Sequence, residues 1–235
     1  MSSTTAPSTA GRAARIGLWA LPVYGILLGL STITHQPSVD DFDAYARYTT
    51  TDVFLASHLG ASIFGAALAI LGVTALTAFL IRSTAARTSV AGLVLTTVSN
   101  VFMAAAFGSA AFVQPGIGRA HLAGMDGMPA LNADTAYGPA LFATALGATF
   151  LLMVAAVVTG VAIARSNRRL RWLGVGYAVV IPAFALSGQL VQSVQAATGF
   201  ALAAVTAVLA WRLPRVGKDA ARSAGRPSLA APAQV

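Results

Sequence analysis

His35, His58 and His121 are the only imidazoles in a chain without cysteine, so any metal chemistry has to start from them. Imidazole with carboxylate is a common donor set for zinc, copper or iron. His121 opens the run HLAGMDGM, which places Met125 and Met128 four and seven residues on. A loop offering imidazole and thioether favours Cu(I), and His58 with His121 is a pair able to hold one b-type haem. Each residue also has a plain structural reading. The two methionines serve as apolar anchors at a membrane interface, and a neutral His58 is satisfied by a neighbouring serine or backbone carbonyl. All seven acidic residues are aspartates, which excludes zincin-type sites, whose general base is glutamate.

A second set is polar and uncharged. Thr96, Thr97, Ser99 and Asn100 fall together in one apolar stretch, and Gln189, Gln192 and Gln195 fall together in another. They suit the lining of a small pocket for a solute, or ordinary hydrogen bonds between helices. Nucleophilic hydrolysis finds no support. Ala185-Leu186-Ser187-Gly188 resembles the GxSG of intramembrane serine proteases, but the first glycine is missing and no histidine follows to activate the serine.

The elements that carry these residues are set by composition. The chain is 57% hydrophobic and 9% charged, with a mean hydropathy of +0.74, where soluble domains hold about a quarter charged residues. After Asp52 no charge appears until Arg82, and only His58 interrupts the run, which is ample for a hydrocarbon core that needs roughly 20 residues of helix. Five further stretches are comparable. The longest, between Arg171 and Arg212, holds 40 uncharged residues and must fold back on itself, with the turn predicted at Gly188 to Gln192. Pro22 and Pro182 predict kinks in the first and fifth spans. Small or polar residues recur every four positions at Ser57, Ala61, Gly65 and Ala69, and again at Gly92, Thr96, Asn100, Ala104 and Gly108. Such rows bring helices close, and the amide of Asn100 is expected to face protein and not lipid.

Between the first two spans, SVDDFDAYARY predicts a short amphipathic helix on the outer membrane surface, with Ser38 as its cap and Val39, Phe42, Tyr45 and Tyr48 three apart. The glycine-rich stretch from Gln114 to Gly138 reads as a long outer connection, a natural place for function. Charge then orients the chain. With both ends inside, thirteen of the fifteen basic residues are cytoplasmic and six of the seven aspartates are outside. The net charge of +8 belongs to clusters flanking apolar spans, which matches anionic headgroups and not nucleic acid.

The expectation is therefore an all-α integral membrane protein of the plasma membrane, a bundle of six transmembrane helices over residues 15–212 with both termini cytoplasmic. Its spans are placed near 16–34, 53–81, 89–113, 139–164, 172–188 and 193–211, between disordered tails at 1–14 and 213–235. The functional expectation is a non-catalytic membrane subunit or a small-molecule or lipid-binding protein that needs no cofactor, with a membrane protein partner as one possible occupant of its outer loops. The alternatives are a redox protein holding haem or copper on the outer histidines, and a small-solute transporter.

Overall fold

A computed structural model describes residues 9–188 and 192–224, and among them there are helices and no strands. Six helical stretches are long and apolar enough to cross a membrane: Gly11–Ser31, Asp52–Leu80, Ala86–Leu122, Pro139–Ser166, Arg168–Ser187 and Ser193–Val216.

The first is built from α1 (Thr9–Gly17) and α2 (Ala20–Ser31). They part at Leu18 and Trp19 because the ring of Pro22 conflicts with the carbonyl four residues back, that of Leu18. Helix thus begins at Thr9, inside the segment expected to be a disordered tail. Next comes α3 (Phe42–Thr49), whose cap is Asp41 and not Ser38: the Asp41 carboxylate accepts from the Ala44 amide at 3.0 Å, while Ser38 closes the turn before it. The second span opens with α4 (Asp52–Ser57), capped by Thr51, widens into a π-helix at His58–Phe64 and continues as α5 (Gly65–Leu80).

The third span, α6 (Ala86–Leu122), corrects the sequence expectation most. It does not end at Val113 but carries Pro115 and runs two turns further. The extension is held by α3, which packs so closely on Gly118 that an added Cβ there would meet the Thr49 hydroxyl and the Ala46 carbonyl. The supposed outer loop is therefore mostly helix, with α7 (Met128–Asp134) following after a turn at Gly124 and Gly127, both at positive φ. Likewise α3 is no free surface helix, since Tyr45, Ala46 and Thr49 are buried.

The remaining spans are α8 (Pro139–Ser166), α9 (Arg171–Ser187) and α10 (Gln192–Ala224), with one 3-10 turn at Arg168–Leu170. Pro182 lies inside α9 without ending it, and the fold-back falls between Ser187 and Gln192 as expected. α10 continues through Pro214 to Ala224, so residues 213–224 are helical where a disordered tail was expected.

Each span packs on its neighbours in sequence, α2 on α5, then α6, α8, α9 and α10, and α10 closes the ring on α2. The apolar core runs from Leu80, Ala85, Leu170 and Leu213 at the arginine-rich end to Tyr24, Leu152 and Ile181. It stops there. Toward the aspartate-rich end, α6 and α8 border a cavity instead.

Candidate functional site

The cavity of about 250 Å³ follows from side-chain size. On α6 the row Ala106, Ala110, Gln114 presents two alanines to α8, whose facing row offers Leu141, Ala145 and Thr149. Small residues at four-residue spacing on both helices leave a gap that the neighbouring large side chains, Phe107, Phe142 and Leu146, wall without filling. Ala136 and Tyr137, between α7 and α8, close the end. Gln36 reaches across from the connection after α2 and donates its amide to the Tyr137 hydroxyl at 3.1 Å. Phe142 and Leu146 are each 55% exposed, so the gap opens sideways, toward where lipid chains would lie.

Two polar groups define its chemistry. The Gln114 side chain is only 3% exposed, and its amide oxygen is buried with no hydrogen-bond partner. An unsatisfied buried acceptor costs roughly 1 to 3 kcal/mol, more than a protein usually tolerates without cause. The second group is His58. Its Nδ1 lies 2.9 Å from the Phe54 carbonyl, and the ring stacks on Phe54 at 4.1 Å between centroids. Donation from Nδ1–H to that carbonyl leaves Nε2 as an acceptor. The π-helix begins at this residue; its wider turn re-aims side chains and is frequent at functional sites. Beside these two acceptors the lining holds the amide of Gln36 and the hydroxyls of Tyr137 and Thr149, and among the described residues its only ionisable side chains are His58 and Tyr137.

The other predicted residues are dispersed. His121, in the last turn of α6, binds the Asp43 carboxylate through Nε2 at 2.6 Å and packs edge-on against Phe42, pinning α3 to the α6 extension. Its hydrogen bond to Asp43 is the main reason that this carboxyl is held below its usual range. Burial pushes the Tyr45 phenol well above its ordinary value. His35 is exposed one residue before Gln36, Met125 is exposed in the turn after α6, and Met128 is half-buried at the start of α7. Among the described residues no three His or Asp side chains converge on a metal-sized site. His58 and His121 do not share the cavity, so the pair proposed for a haem is not brought together there.

Asn100 is 2% exposed, as a mid-span amide requires, but it donates to the Thr96 carbonyl of its own helix at 2.8 Å, and neither residue lines the cavity. Gln189 lies outside the described residues. Gln192 opens α10, and its side chain also lies outside them.

No family model, curated protein or solved structure matches this chain.

The candidate site residue missed in the sequence is Gln114. It follows Asn100 by fourteen residues, four helical turns on nearly the same face, and would have been found by continuing the helix through Pro115.

Proposed function

We propose that this protein is a non-catalytic membrane protein that binds a single-chain amphiphile with an uncharged, hydroxyl-bearing head, of the monoacylglycerol or fatty-alcohol class. The observation that carries this reading is the buried amide oxygen of Gln114, left without a hydrogen-bond partner on a residue that lines the cavity together with His58, whose Nε2 is also an acceptor. Two acceptors call for a ligand that donates. A charged head would lose its hydration without an opposite charge to meet it, which favours a neutral one. The volume lies just below the range of about 300 to 1,000 Å³ that encloses a whole small ligand, which suits a head and the first carbons of a chain. The rest of the chain leaves between Phe142 and Leu146 into the bilayer.

Filling the cavity tests this. Ala145→Trp is expected to weaken binding of 1-monolauroylglycerol to the protein in phosphatidylcholine nanodiscs by about tenfold or more, since the indole occupies the space of the head. Equal affinities in the two proteins would reject the cavity as the binding site.

The proposed setting is the plasma membrane with both termini cytoplasmic, supported by the segregation of arginine and aspartate to opposite ends of the spans. The chain lacks cysteine, so single cysteines report without background. Ser38→Cys is expected to react with an impermeant maleimide from outside intact cells, and Ser166→Cys only after permeabilisation. The reverse pattern would invert the topology, and the cavity would then open to the inner leaflet.

A further inference from the structure

At the opposite, arginine-rich end, α1 with the turn after it and α10 border an open cleft of about 260 Å³, lined by Arg15, Trp19, Ala210, Trp211, Pro214 and Arg215. Two guanidinium groups thus share one small cleft with no carboxylate among the described residues of its lining. Arg215 is held in place from below: it lies over the Trp211 ring at 3.9 Å and donates Nη1–H to the Trp211 carbonyl at 2.7 Å. That leaves most of its five donors for another group. Arg15 is less well served, because its Nε is buried and has no hydrogen-bond partner. A buried donor on a permanent cation is costly to leave unmade, and the second cation beside it adds repulsion. An anion in the cleft answers both.

From this geometry we infer that the cleft between α1 and α10 is a binding site for a phosphate group. Arginine matches phosphate oxygens with paired N–H donors, and tryptophans that are half exposed, as Trp19 and Trp211 are, favour the headgroup level of a bilayer. Basic clefts between helices at the cytoplasmic side are suited to anionic headgroups, which places a phospholipid phosphate at the right depth. The site is separate from the α6–α8 cavity and does not depend on what that cavity holds.

Its own tryptophans report on it. Trp172 is the only one outside the lining, so Trp172→Phe leaves Trp19 and Trp211 as the fluorophores. In a neutral detergent this protein is titrated with dihexanoyl phosphatidylglycerol, with dihexanoylglycerol, which lacks the phosphate, and with inorganic phosphate. A saturable fluorescence change is expected with phosphatidylglycerol and none with dihexanoylglycerol. Arg15→Gln and Arg215→Gln are each expected to raise the Kd by about tenfold, the worth of a charged hydrogen bond, while Arg82→Gln at the same end of the bundle leaves it unchanged. Arg215 is exposed, so its variant tests the site even if Arg15→Gln fails to fold. Saturation by inorganic phosphate at similar concentrations would support the phosphate site and assign it to a free anion; saturation by the lipid alone assigns it to the headgroup. Matching titrations by dihexanoylglycerol and phosphatidylglycerol, or an unchanged Kd in Arg215→Gln, would overturn the inference.

Discussion

Gly174→Ala is expected to destabilise the bundle by roughly 3 kcal/mol, whereas Gly176→Ala, two residues along the same helix, costs less than about 1 kcal/mol. The difference lies in what each new methyl meets. At Gly174 it would fall on the Gly160 carbonyl and the Ala164 amide of α8, which are backbone atoms that move only if the helices separate. The crossing is reciprocal, since a Cβ at Gly160 would strike the Gly174 carbonyl. At Gly176 the methyl faces the side-chain methyls of Val205 at 3.3 Å, which can rotate away. Both substitutions gain the same helix propensity of about 1 kcal/mol, so their comparison isolates the crossing. Denaturant unfolding in mixed micelles measures it. Equal stabilities would mean that α8 and α9 do not approach to backbone contact.

Gln114→Leu is expected to stabilise the ligand-free protein by roughly 1 kcal/mol and to weaken monoacylglycerol binding by about tenfold. Replacing a buried, unpaired polar group by an apolar one of similar shape removes a desolvation penalty and sacrifices no internal hydrogen bond. The same change removes one acceptor from the ligand. Asn100→Leu provides the contrast, because the Asn100 amide already donates to Thr96. Losing that bond is expected to leave stability equal or lower and binding unaffected. If Gln114 were instead part of the helix packing, Gln114→Leu would lower stability, and the opposite signs of its two effects would not appear.

Most of the helical framework was legible in the sequence because the bilayer imposes a simple rule: uncharged stretches of sufficient length between basic or acidic clusters. Six such helices are present, and the fold-back between Ser187 and Gln192 lies where 40 uncharged residues had to turn. The four-residue row through Ala61, Gly65 and Ala69 is buried, as small residues at that spacing should be. The rule fails beyond the apolar stretch, where tertiary contacts decide. Gln114, Pro115 and Gly116 read locally as a helix end, yet α3 packs on Gly118 and carries α6 on to Leu122. That error hid both the site residue Gln114 and the partnership of His121, which sits in the extension facing Asp43. The π-helix at His58 has no local signature either; a run of small and apolar residues, HLGASIF, fits an α-helix equally well. The histidines stand out in so apolar a chain, but the structure places His58 in the cavity lining and His121 on Asp43, and the two do not share one cavity.

Photolabelling tests the proposed ligand site most directly. A monoacylglycerol carrying a diazirine near the head is equilibrated with the protein in phosphatidylcholine nanodiscs, illuminated, and the adducts are mapped by peptide mass spectrometry. Adducts confined to the cavity walls, on Phe107, Leu141, Phe142, Ala145 or Leu146, and lost in Ala145→Trp, are the predicted result. Labelling spread over the lipid-facing residues of all six spans, unchanged by Ala145→Trp, would contradict it.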